Sequence, residues 1–135
     1  MYVLDSNIIS YALKGDATIR NKMEKTTEGC NSLVMPYVVY YEVKRWLLEL
    51  GANAKQRIFD KFLDGDFSLE PLEKSVWDKA SEIYVETRRK GKPVDDDADM
   101  LIAAFCIIND HTLVTNNKRH FEHIDGLKYI NWAES

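Results

Sequence analysis

Apolar residues recur along this chain in short β-prone runs separated by longer stretches of helical period. Residues 2–4, Tyr-Val-Leu, form the first such run and stop at Asp5, after which residues 7–13 read as one or two helical turns. Gly15 closes that segment, and Asp16 can cap a second helix reaching about Glu28. Residues 32–35 make a second buried strand, and Pro36 marks the turn out of it. A helix is predicted over residues 37–50, stopped by Gly51, and another over 54–63, broken by Gly65 before the short strand 67–69. Residues 73–90 form a long amphipathic helix with Val76, Ala80, Ile83 and Tyr84 on one face. Asp96 or Asp97 then opens a helix whose body, residues 100–108, is apolar almost all round, the pattern of a buried helix. Residues 112–115 read as a strand, 118–121 as a turn and 127–130 as a last strand. Short strands alternating with helices imply an α/β fold, with a mainly parallel central sheet flanked by helices on both faces.

No repeat, low-complexity tract or Pro/Gly-rich linker interrupts residues 1–135, so one domain is expected. A domain of this length buries roughly two-thirds of its unfolded surface and folds without metal or disulfide staples. Two cysteines, Cys30 and Cys106, are too few for a disulfide framework or a cysteine-based zinc site, and Cys106 lies in an apolar run as a reduced core residue. No apolar run reaches the roughly 20 residues that span a bilayer, and Asp5 interrupts the apolar start, against a signal peptide. These features together place the expected compartment in the cytoplasm. A net charge of −4 argues against a protein held to nucleic acid by overall basicity. It leaves room for a local basic strip, and Arg88, Arg89, Lys90 and Lys92 form one just before the aspartates 95–97. Those four could grip RNA phosphates; alternatively they are solvated cations at a helix C-terminus.

Ligands of an open parallel sheet bind beyond the carboxyl ends of its strands. Asp5 ends the first strand there, Asp99 lies in the first turn of the buried helix, and Glu42 sits one to two turns into the helix after the second strand. Three carboxylates from separate segments could thus converge. Two of them about 5 Å apart repel by roughly 3 kcal/mol at an effective dielectric of about 20, so a cluster needs a counter-charge. An all-oxygen set suits Mg²⁺ or Mn²⁺ better than zinc. Each acid has a plainer role as well: Asp5 as a helix cap, Glu42 as a solvated charge, Asp96 and its neighbours as cap and dipole partners. His111, His120 and His123 fall in or near loops and are read as solvated.

Four segments together resemble the PIN-domain nucleases, and within them the VapC toxins of type II toxin–antitoxin systems. Residues 2–10, Y-V-L-D-S-N-I-I-S, are similar to the family's V-L-D-T-N-I-I-S opening, and Glu42-Val43-Lys44-Arg45 to its E-V/L-K-R segment. Residues 96–104 match D-x-x-D-x-L-I-A-A, and 113–121 match L-V-T-x-N/D-x-x-x-F. The resemblance implies a PIN-like fold and an endoribonuclease that hydrolyses RNA phosphodiesters with Mg²⁺ or Mn²⁺, leaving 5′-phosphate and 3′-hydroxyl ends. It places the catalytic, metal-holding acids at Asp5, Glu42 and Asp99. Ser6 and Thr115 fall at supporting positions, and Asp96 at an outer acid position. The family's fourth acidic position is an amide here, Asn117, which leaves one ion or two open. A VapB-like antitoxin, often presenting an arginine to the acids, and a homodimer are further implications. Transfer RNA is a plausible substrate on the same ground. Two other readings stand beside this one: a PIN nuclease of housekeeping RNA processing, and an acidic α/β signalling module similar to a phospho-receiver domain. The second fits poorly, because the first strand ends in one acid, not two, and the second strand ends without one.

Overall fold

The computed structural model of the protein describes residues 1–29 and 32–132, so Cys30 lies outside the described residues. Five strands, β1 (Tyr2–Leu4), β2 (Leu33–Pro36), β3 (Phe67–Glu70), β4 (Thr112–Val114) and β5 (Lys128–Ile130), form one sheet in the order β3-β2-β1-β4-β5. Every pairing is parallel, with Val3 opposite Val34 on one side and Leu113 on the other. The helices around it are α1 (Ser6–Leu13), α2 (Ala17–Glu28), α3 (Tyr37–Leu50), α4 (Asn53–Gly65), α5 (Lys74–Arg89), α6 (Asp97–Asn109) and α7 (Lys118–Phe121). None among the described residues is long and apolar enough to cross a membrane.

Parallel strands covered by helices are buried on both faces, and β2 accordingly contributes four consecutive buried residues. Pro36 does double duty: it closes β2 at extended dihedrals and stands as the N-cap of α3, where a missing N–H costs nothing. Gly51 ends α3 in the left-handed region at φ 61°, a conformation glycine adopts without a Cβ clash. The apolar run of α6 is buried as its pattern predicts, with Ile102, Ala103, Ala104 and Cys106 fully enclosed. Cys106 is a free thiol, and burial pushes its pKa up.

Two local expectations are corrected. Tyr84 is 42% exposed, and the buried stripe of α5 runs through Val76, Ile83 and Thr87 instead. Thr87 fits because its hydroxyl donates to the Ile83 carbonyl at 2.8 Å, satisfying its polar atom inside its own helix. Residues 118–121 are a short helix, not a turn, and that single turn matters for the site below.

Candidate active site

The chain runs outward from β1 through β2 to β3, then crosses back to add β4 and β5 on the other side. The carboxyl ends of β1 and β4 therefore flank the point where strand order reverses, the usual crevice of an open α/β sheet. Asp5 follows β1 and Thr115 follows β4, and the two meet: the Thr115 hydroxyl donates to Asp5 Oδ2 at 2.9 Å. Asp5 Oδ1 accepts the Ser6 amide at 2.8 Å, so this acid is also the N-cap of α1. Capping and site roles are not exclusive, since each carboxylate oxygen has a second lone pair. Burial raises the pKa of Asp5, and its bonds to Thr115 and Ser6 offset part of that rise.

Asp99 enters from the first turn of α6, positioned by Asp96, whose Oδ1 accepts the Asp99 amide at 3.2 Å. Asp96 thus caps the helix. The Asp99 side chain is 10% exposed and meets His120 Nδ1 of α7 at 2.6 Å. Burial drives its pKa up to about 6; the His120 hydrogen bond works against this, and the charges of Asp96 and Asp5 work with it. Glu42 projects from the second turn of α3, half-buried. Its Oε1 is buried without a hydrogen-bond partner among the described residues. Burial comes first, then repulsion from Asp5, Asp96 and Asp99, in pushing its pKa up to about 7, with Arg45 pulling the other way. The acids of three separate elements are therefore within electrostatic reach of one another, as the strand-end argument requires. Among the described residues, however, no three acids, histidines or cysteines close into a preformed metal cage. Thr115 and His120 take up oxygens of Asp5 and Asp99. An all-oxygen donor set with one oxygen lacking a partner is compatible with a hard divalent cation such as Mg²⁺ or Mn²⁺.

Asn117, the N-cap residue of α7, lies outside the carboxylate group but touches its margin. Its backbone amide donates to Thr115 Oγ1 at 3.0 Å, and its carboxamide nitrogen lies 3.0 Å from His120 Nδ1. His120 is half exposed, as a solvated histidine is, but its Nδ1 lies between Asn117 and Asp99, where it donates to the Asp99 carboxylate or accepts from the Asn117 carboxamide according to its tautomer. The spacing of Asn117 and His120, one helical turn apart, carried the signal, but only if residues 118–121 are helical. His111 is buried, its ring centroid 5.7 Å from that of Phe105.

Of the basic strip, only Lys92 lines the cavity that also holds Asp95, Asp96, Asp99, Arg119 and His120, about 520 Å³ in volume. Lys90 pairs with Asp125 at 2.8 Å, Arg88 lies 4.2 Å from the centroid of the Tyr84 ring, and Arg89 is exposed at the end of α5. Arg88 and Lys90 thus have partners of their own, as cations at a helix end can, while Arg89 and Lys92 are unpaired among the described residues. Arg119 on α7 was not anticipated, and nothing in the sequence distinguishes it from other surface cations.

A doubly flanked parallel sheet with acids gathered at its switch point defines a recognisable class of α/β protein. Residues 2–127 match the model of the PIN domain, and the chain belongs to that family. Ribonuclease VapC1 of Methanocaldococcus jannaschii is 29% identical over 131 residues, covering 82% of this chain and 96% of the relative. Ribonuclease VapC2 of Rickettsia felis is 28% identical over 138 residues, covering 98% of each. The crystal structure of VapBC2 from Rickettsia felis bound to a DNA fragment from their promoter superposes with a TM-score of 0.88 at 27% identity, across 97% of this chain and 98% of that one. DNA-bound VapBC from Salmonella typhimurium shares the fold, with a TM-score of 0.86 at 22% identity over 97% of each chain.

Proposed function

We propose that this protein is a VapC-like endoribonuclease, hydrolysing RNA phosphodiesters with Mg²⁺ or Mn²⁺ held by Asp5, Glu42 and Asp99, and kept inactive by a VapB-like antitoxin. The observation that carries the reading is the Glu42 oxygen without a hydrogen-bond partner among the described residues, on a side chain whose pKa is raised by burial and by the charges of Asp5, Asp96 and Asp99. Such a group is costly to keep ionised without a counter-charge, and selection for a fold alone would favour an amide or an apolar residue there. The similarity to ribonucleases named VapC, across most of both chains, supports RNA as the substrate. Likeness to toxins solved in VapBC complexes supports the antitoxin, and a homodimer is the assembly expected with it.

When bound, a divalent ion here lowers the pKa of a coordinated water and offsets charge on the phosphate oxygens. The chain's own residues prepare the site. Thr115 and the Ser6 amide fix the plane of the Asp5 carboxylate, so it need not reorganise. His120 and the Asp96 cap hold Asp99 from opposite ends of its residue, one through the carboxylate and one through the backbone. Lys92 and Arg119 present positive charge beside the acids, where an RNA strand needs its flanking phosphates neutralised.

Purified protein with a mixed-sequence single-stranded RNA and Mg²⁺ provides the test. Asp5→Asn, Glu42→Gln and Asp99→Asn are each expected to abolish cleavage while the protein still melts cooperatively, and EDTA to abolish it in the wild type. Cleavage that survives Glu42→Gln, or that proceeds in EDTA, would overturn the assignment.

A further inference from the structure

Glu42 lines a second cavity, of about 290 Å³, which shares no residue with the one that holds Lys92. Its walls come from α1 and α3: Asn7 and Ser10 on one, Arg45 and Trp46 on the other, with Lys14 at the end of α1. We propose that this cavity binds the nucleotide next to the scissile phosphate, with the base against the Trp46 indole and flanking phosphates on Lys14 and Arg45. The inference rests on the ribonuclease reading above and extends it to a residue-level determinant of which RNA positions are cut.

Three features of the cavity point this way. Four cations elsewhere on the surface, Lys74, Lys79, Lys90 and Lys128, are neutralised by acids at 2.8 to 3.5 Å and are not available to a phosphate. Lys14 and Arg45 form no ion pair within 4 Å among the described residues: Lys14 Nζ lies 5.7 Å from the centroid of Trp46, and the Arg45 guanidinium lies 5.0 Å from that of Tyr41, with its charge also reaching Glu42. Unpaired cations leaning on aromatic rings beside a half-buried indole combine the two elements that grip a single strand, charge for the backbone and a flat apolar face for the base. Hydrogen-bonding groups are also free to read a base edge. Asn7 is exposed with its carboxamide unengaged among the described residues, and Ser10 donates to the Asn7 carbonyl at 2.8 Å, leaving its oxygen to accept. Finally, Ser6 and Glu42 line the same cavity, so a strand with its phosphate at the acids enters it directly.

The test uses a fluorescent 12-nucleotide RNA of mixed sequence and Asp99→Asn protein, so that binding is read without turnover. Adding Trp46→Ala is expected to weaken binding about tenfold, with Trp46→Phe restoring most of it because a ring is retained. Lys14→Gln and Arg45→Gln, both at exposed positions, should each flatten the slope of log affinity against log salt by about 0.7. In the cleaving protein, Trp46→Ala should raise KM with little change in kcat and shift the positions of the cut ends. Unchanged affinity, salt slope and cut positions across these variants would overturn the proposal. A wild type that binds RNA through Trp46 yet never cleaves it would overturn hydrolysis and leave the pocket standing, whereas cleavage with Trp46-independent binding would do the reverse.

Discussion

Glu42 and Asp99 are both harder to ionise than solvated acids, so the folded protein retains protons that the unfolded chain releases. With Glu42 moved from an ordinary 4.5 to about 7 and Asp99 from 3.8 to about 6, the folded state binds more protons between about pH 4 and 7. By linkage these two acids contribute stability that is fully present below their ordinary values and is lost as pH rises through that window, while His111, held below its usual 6.5 by burial, works the other way. Melting temperatures in EDTA should therefore decline from acid to neutral pH. Glu42→Gln should flatten the decline and add on the order of 1 kcal/mol at neutral pH, discounted for the solvent that screens a half-buried site. A metal-free protein whose melting is level across that range would show that burial and the neighbouring charges do not raise these two acids in solution. The three principal acids were legible in the sequence because a carboxylate at a strand end or on an apolar helix face is physically anomalous. His120 was not, because a histidine in a polar stretch looks the same whether it meets water or Asp99.

At the scale of one element, α6 shows a residue working in two directions. Asp96 accepts the Asp99 amide as N-cap, a contact worth about 1 kcal/mol, while its charge raises the pKa of both Asp99 and Glu42. Replacing it separates the two. Asp96→Asn keeps a capping oxygen and removes the charge, so the metal-free protein should become slightly more stable at neutral pH. Asp96→Ala loses both, and should fall about 1 kcal/mol below the Asn variant, the whole of the difference being the cap. Equal melting of the two variants would place the cap elsewhere. Element identities followed from the periodicity and from punctuation by Gly15, Gly51 and Gly65. Tyr84 went astray because an aromatic on a helix suggests burial, whereas the structure buries Thr87, whose polar atom is satisfied locally. The single turn of α7 is too short for any period to register.

Over the whole molecule, the prediction concerns the ion. A ligand that binds only the folded state stabilises it by RT ln(1 + [L]/Kd), about 2.7 kcal/mol at a hundredfold excess over Kd. Mg²⁺ or Mn²⁺ should accordingly raise the melting temperature of the wild type by several degrees at neutral pH and leave Glu42→Gln and Asp99→Asn little changed. An equal rise in all three proteins would mean the ions bind elsewhere. The parallel sheet was anticipated from alternation of strands and helices, but its order was not. An apolar run such as residues 112–114 announces that it is buried, and says nothing of which strand lies beside it.

That order has a consequence for how the protein comes into being. The central strand β1 precedes the other four in sequence, and it remains half-paired until β4, more than a hundred residues later, arrives at its other edge. The hydroxyl that holds Asp5 comes with it, across 110 residues of sequence, and His120 follows only a few residues on. Domains fold from the N-terminus as they emerge during synthesis, but this site cannot assemble that way. A growing chain carries Asp5 and Glu42 long before it carries Asp99, Thr115 and His120, so the carboxylate cluster closes only after the segment through His120 has been made.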